Sequence, residues 1–207
     1  MNNMFVCKNS SDFNDIIALT DAYGIKKKYS NVLLGVSIIH NMDYEQLCDE
    51  LGFIKYDEDG NYAFVDDTAK FLSGNMFSFH DDEARTTSFG VYDLKYYWPY
   101  AESVQNVVST FLKEGIESRH GVIYFGPNHC FVNIQFDLYE VSPEKYEMTT
   151  IATMRSCNVV TNYKYDLLIV ELFKREIIKQ LHQENINVKT NGKTILNIAN
   201  LHHFKEV

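Results

Sequence analysis

The hydrophobic and polar positions of this 207-residue chain change period several times, and each change marks an element. Ser10, Ser11 and Asp12 offer N-caps to a helix carrying Phe13, Ile16, Ile17 and Leu19, which Gly24 stops. The Val, Leu and Ile run from Asn31 to Ile39 predicts a buried strand, Asp43 to Leu51 a short helix closed by Gly52, and Asp57 to Asn61 a turn. Asp66 to Leu72 reads as a further helical piece. From Ser73 to Tyr97 no period holds, and the Ser, Asp, Gly and aromatic content predicts a long, partly ordered excursion. Pro99 then opens an amphipathic helix on Val104, Val107, Val108, Phe111 and Leu112, ending near Gly115.

The second half is more regular. Gly121 to Phe125 predicts a short strand. From Cys130 the chain alternates, with Cys130, Val132, Ile134, Phe136 and Leu138 on one face and Asn133, Gln135 and Asp137 on the other, which predicts a half-buried strand. Thr149 to Ser156 follows as its antiparallel partner across a connection containing Pro143. A long helix from about Asp166 to Leu181, a turn at Asn191-Gly192 and a last strand from Thr194 to Ala199, leading into Leu201 to Phe204, complete the pattern. No internal repeat or linker interrupts it, so one domain spanning residues 1–207 is expected.

Composition narrows the class. Hydrophobic residues make up 45% and aromatics 14%, enough for a chain of this length to bury a core without metals or disulfides. Cys7, Cys48, Cys130 and Cys157 form no CxxC pair and have no nearby Cys/His ligand spacing, so reduced thiols and no metal are expected. With no apolar run near the roughly 20 residues that cross a bilayer, and no secretion pattern at the start, no membrane association and a cytoplasmic setting are expected. A net charge of −9 argues against direct nucleic-acid binding, which needs many Lys and Arg against phosphates. A small anion can still be held where a few donors converge.

Met154-Arg155-Ser156-Cys157-Asn158 offers such a place. A fixed cation beside a hydroxyl suits a phosphate, an acid such as Asp166 can read the donor and acceptor edge of a base, and the Cys130 thiol can attack a ring carbon. Together they describe a nucleotide site. Each residue also has an ordinary reading. A free Cys is commonly a core thiol, an Arg-Ser pair at a strand end is commonly surface, and Asp166 alone suits a helix N-cap or first turn. Cys157 reads as packing, and Lys26 to Lys28 as a solvated run that could also lend a phosphate contact.

The order and spacing of Ser118-Arg119-His120-Gly121, Cys130 ahead of Gln135-Phe136, Arg155-Ser156, Asp166 and Asn200-Leu201-His202 resemble the thymidylate synthase family. Within it the chain is closest to the deoxycytidylate (dCMP) hydroxymethylases of bacteriophages, because synthases acting on uracil carry Asn where this chain has Asp166. The resemblance covers the C-terminal half firmly. Phe89-Gly90 resembles the family's Tyr-Gly, and the N-terminal third matches loosely. It implies an α/β (α+β) fold, a mixed, mainly antiparallel sheet flanked by helices, joined sheet to sheet in a homodimer.

The resemblance also implies roles. Cys130 would add as thiolate to C6 of a pyrimidine nucleoside monophosphate and make C5 nucleophilic toward 5,10-methylenetetrahydrofolate. Arg155 and Ser156 would hold phosphate, Arg119 would reach the phosphate of the partner subunit, Asp166 would read cytosine, and His202 would contact the sugar. Glu50 stands as the catalytic glutamate, with Leu51 where a Trp usually follows. Asn158 replaces an Asp that bonds pterin and base, His120 a second phosphate Arg, Phe89 a Tyr, Phe204 a sugar-binding Tyr, and Asn162 a glycine. Few residues follow His202, so the tail that closes the folate site of synthases is expected to be lacking. Two functions stay open on this reading: C5 hydroxymethylation of dCMP, and a catalytically silent homologue that keeps the nucleotide pocket as a sensor, sequestering protein or partner subunit. An enzyme acting on another pyrimidine nucleotide, or using another one-carbon donor, is a third.

Overall fold

A computed structural model describes residues 3–7, 10–77, 88–89 and 92–204 of the protein. It is a mixed α/β structure in which helices flank one large sheet. The strands are β1 (Asn3–Cys7), β2 (Ile25–Lys26), β3 (Ser30–His40), β4 (Ile54–Tyr56), β5 (Tyr62–Phe64), β6 (Ser88–Phe89), β7 (Tyr92–Asp93), β8 (Val122–Tyr124), β9 (Phe131–Ser142), β10 (Lys145–Met154), β11 (Cys157–Asn158), β12 (Asn187–Lys189) and β13 (Thr194–Phe204). The helices are α1 (Ser10–Tyr23), α2 (Tyr44–Glu50), α3 (Asp67–Asn75), α4 (Leu94–Glu114) and α5 (Tyr163–Gln183). The main sheet runs β1-β3-β13-β10-β9-β8, with β2 on β3, β11 on β13 and β12 on β10. Its two longest pairings, β9 with β10 and β3 with β13, are antiparallel, while β10 and β13 run parallel.

Local chemistry accounts for the boundaries. Asp43 caps α2, accepting from the Gln46 amide, while the Gln46 side chain returns to the Asp43 amide. Asp66 caps α3 through the Ala69 amide. Pro143 and Glu144, the latter at φ 60, turn β9 into β10, and the Glu140 carboxylate accepts from the Glu144 amide. Gly192 lies where a Cβ would fall 1.9 Å from the Met148 carbonyl oxygen, so only glycine fits between β12 and β13.

Helix α5 is the centre of the core. Eight consecutive residues, Leu167 to Lys174, are buried, which makes it apolar nearly all round. The two charged members satisfy one another: Lys174 Nζ lies 3.3 Å from Glu171 and donates to the Gly192 carbonyl at 2.5 Å and to Thr194, whose hydroxyl donates to Glu171. One face of the sheet packs under this helix through Met148, Ala152, Met154, Ile134, Phe136 and Leu138. The opposite face, carrying Ser37, Ile39, Asn133, Gln135, Thr149, Ile151, Thr153 and Asn197, is half-exposed.

Several expectations shift. Helix α5 starts at Tyr163, not Asp166; its N-cap position is Asn162 at φ −109, so no glycine is required there and Asp166 is not the cap. Strand β10 stops at Met154, leaving Arg155 and Ser156 just beyond it, while β13 continues to Phe204. Helix α4 begins at Leu94, ahead of Pro99. Strands β1 and β12 are too short for their periodicity to predict them. Of the expected excursion from 73 to 97, residues 78–87, 90 and 91 lie outside the described residues, and with them Gly90.

Candidate functional site

A fault in the β9–β10 ladder builds the site. Thr153 pairs with Asn133 and the next residue, Met154, with Phe131, so Val132 is an extra residue opposite nothing. The bulge reverses the phase: Phe131 is buried and Val132 exposed, the opposite of what the alternation from Cys130 predicts. Cys130 falls one residue ahead of β9 and is exposed rather than packed in the core. The Arg155 amide donates to the Cys130 carbonyl at 2.8 Å, which fixes the two segments side by side.

The thiol then meets three of the expected partners. Ser156, Arg155 and Asp166 are the side chains whose polarity and charge act on the Cys130 sulfur. The Arg155 guanidinium donates from Nε to the His129 carbonyl at 3.0 Å, and Nη2 bonds the same oxygen; no ion pair among the described residues engages it. Asp166 enters from the first turn of α5 and is buried. Its Oδ2 accepts from the Cys157 thiol at 3.3 Å. Cys157, expected only as packing, is therefore a polar member of the site, and nothing in the sequence distinguished the two thiols beyond their spacing to Arg155.

Asn158 and His202 are joined to this cluster through the sheet. β11 pairs with β13 so that Cys157 opposes Leu201 and Asn158 opposes His202, and the Val159 amide donates to the His202 carbonyl at 2.9 Å. The Asn158 side-chain oxygen turns back on its own chain, accepting from the amides of Val160 at 3.0 Å and Thr161 at 3.4 Å. His202 stacks edge-on against Phe204 at 4.8 Å. One row further, Lys26, Asn31 and His203 lie side by side across β2, β3 and β13.

Two expected members stay apart. Arg119 lines a groove with Gln135, Asp137 and Leu138, which at the rise of a strand is roughly 20 Å along β9 from Cys130. Glu50, half-buried at the end of α2, lines a cleft with Asn41, Met42 and Gln46, and none of Cys130, Arg155 or Asp166 is part of that lining.

Burial dominates the electrostatics. It pushes the Asp166 carboxyl up to about 7, with the Cys157 hydrogen bond pulling the other way. The Cys130 thiol is raised by its partial burial and then by Asp166; Ser156 and Arg155 offset this without reversing it. Cys157 is raised well above the usual thiol range by burial and by Asp166, and burial lowers His202. With its pKa raised in this way, the Cys130 sulfur is a thiol at neutral pH.

Among the described residues no group of three or more His, Cys, Asp or Glu could hold a metal, and no helix is long and apolar enough to cross a membrane. Asn158 stands where the resemblance puts a pterin contact, and its oxygen is already committed. No protein-family model matches the sequence, and no curated protein matches it.

Proposed function

We propose that the chain is a thymidylate synthase-like protein that binds a pyrimidine nucleoside monophosphate, most specifically dCMP, and activates its C5 for hydroxymethylation through Cys130. The observation that carries the reading is the convergence of four chemistries from separate segments: the Cys130 thiol, the Ser156 hydroxyl, the Arg155 guanidinium and the buried Asp166 carboxyl. A protein with one buried acid of raised pKa beside an accessible thiol has paired groups suited to acid-assisted nucleophilic addition.

The residues support a balanced first step. The Cys130 thiol gives up its proton to water and its sulfur forms a bond to C6; the C5–C6 π electrons move onto C5 and through C4 toward N3. Neutral Asp166 supplies the proton to N3, as a general acid with a pKa near 7 can. As Asp166 ionises above that value, its charge opposes the Cys130 thiolate, so the same protonation state serves base reading and attack. Arg155, with donors beyond those on His129, and Ser156 suit the phosphate. C5 then takes a proton from water or a one-carbon unit and loses its original hydrogen to water, and expulsion of the thiolate restores the ring as N3 returns its proton to Asp166.

The donor implied by the resemblance, methylenetetrahydrofolate, does not fit Asn158, whose side-chain oxygen is committed to the Val160 and Thr161 amides. The distant Arg119 and the half-exposed second face of the sheet suit a sheet-to-sheet homodimer in which Arg119 serves the partner's phosphate. The test is tritium release from 5-tritiated dCMP. Wild type releases it and Cys130→Ser does not; release that survives in Cys130→Ser overturns the mechanism. The raised Cys130 pKa and the committed Asn158 favour a second reading, a silent homologue that binds the nucleotide. Calorimetric dCMP binding without C5 exchange under any folate condition selects it.

A further inference from the structure

Asp166 is 4% exposed and Cys157 2%. Among the described residues the Cys157 thiol, 3.3 Å from Oδ2, is the side chain that hydrogen-bonds this carboxyl, and no Lys or Arg pairs with it. The thiol's other acceptor is the Asn158 carbonyl at 3.6 Å, on the next residue of the same short strand, so its position is fixed by β11 and by the pairing of β11 with β13.

The two oxygens of a carboxyl group are equivalent until a neighbour distinguishes them. To read an aminopyrimidine edge, a ring nitrogen acceptor beside an amino donor, a neutral acid must present its hydroxyl to the nitrogen and its carbonyl to the amino group. An acid with the two roles exchanged reads the edge of a 4-oxo base instead. A donor held at Oδ2 makes Oδ2 the accepting oxygen and leaves the proton on Oδ1.

We propose that Cys157 is a positioning residue for Asp166, its thiol selecting which carboxyl oxygen accepts and which carries the proton, and so orienting the acid toward aminopyrimidine nucleotides. This rests on the base-reading role of Asp166 given above and adds the residue that sets it. The titratable groups facing Asp166 among the described residues are Cys157 from β11 and Cys130 from the segment before β9. The elements α2, α3, α4, β10, β12 and β13, which also pack on α5, present none to it among the described residues.

The experiment compares wild type, Cys157→Ala and Cys157→Ser in two readouts: the titration of the Asp166 carboxyl carbon by NMR, identified by its loss in Asp166→Asn, and dCMP and dUMP affinity by calorimetry. Removal of the donor in Cys157→Ala is expected to raise the Asp166 pKa, weaken dCMP binding about tenfold and shrink the preference for dCMP over dUMP by a similar factor. Cys157→Ser, which keeps a donor, is expected to hold the Asp166 pKa at or below that of wild type and to keep the preference. A Cys157→Ala protein with unchanged titration and unchanged preference overturns the inference, as does a Cys157→Ser protein in which the Asp166 pKa rises, should the alanine variant not fold. Wild type that binds no dCMP overturns the base-reading role and this inference with it. Intact wild-type binding that is indifferent to Cys157 overturns this inference alone.

Discussion

Replacing Asp166 with Asn removes a buried titratable group while keeping its shape, and the pH dependence of stability reads out the difference. The carboxyl is raised from an ordinary 3.8 to about 7, chiefly because burial disfavours its charge. Its folded-state pKa lies above the unfolded value, so the favourable contribution of the neutral acid is complete below about pH 4. It is lost as pH rises toward 7, and the deficit is constant above that. About three pH units at 1.4 kcal/mol each amount to roughly 4 kcal/mol. Relative to Asp166→Asn, wild type should therefore lose roughly 4 kcal/mol of unfolding free energy between pH 4 and pH 8, measured by urea denaturation at each pH. The asparagine variant becomes the more stable protein on the alkaline side, by some 8–16 °C in thermal midpoint for a chain of this size. All other carboxylates are common to both proteins and cancel. Stability curves that run parallel across this range would show Asp166 titrating as it does in the unfolded chain, and the argument for a buried neutral acid would fail. A gain in stability accompanied by a shift from dCMP to dUMP binding separates an acid retained for recognition from one retained to support α5.

The buried pair on α5 gives a second prediction. Glu171→Ala leaves the Lys174 ammonium buried and without its counter-charge, and should cost about 3–5 kcal/mol in urea unfolding, whereas Glu171→Met with Lys174→Met costs clearly less. Equal losses in the two variants would mean that the pair contributes by shape alone. The third concerns the distant Arg119: in the proposed homodimer, Arg119→Ala and Cys130→Ala, each inactive alone, should on mixing and reassembly recover roughly a quarter of wild-type C5 exchange, because half of such dimers would be mixed and each mixed dimer would hold one intact site. No recovery would remove Arg119 from the partner's site.

Much of this fold was legible wherever burial alone set the pattern. Helix α2 with its Asp43 cap, the β9–β10 hairpin through Pro143 and the strand of Val, Leu and Ile at β3 follow directly from period and turn residues. The start of α5 carries no local mark, because Tyr163 is a buried aromatic with no capping signature and Asn162 makes no side-chain cap bond. β1 and β12 are held by long-range parallel pairing, with β3 and β10, that no local period encodes. In the site, Cys130, Arg155, Ser156 and Asp166 were recognisable by spacing. Cys157 was not, since a buried thiol hydrogen-bonded to an acid and a buried thiol against carbon are the same letter in a sequence.

The bulge at Val132 is what turns Cys130 out of the core. An unbroken ladder would have continued the alternation of Leu138, Phe136 and Ile134 through Val132 to Cys130, turning the thiol into the core. One unpaired residue sends Phe131 inward instead and frees Cys130 to face Ser156 and the end of α5. Burial first, and Asp166 when charged, keep the sulfur protonated, so attack is confined to the state in which Asp166 is neutral. A cytosine edge, with an acceptor at N3, pairs with that neutral acid; a uracil edge, which offers a donor at N3, pairs with the charged carboxylate instead. Discrimination between bases and control of the nucleophile would then be one electrostatic event, located between two side chains that the chain order keeps 36 residues apart.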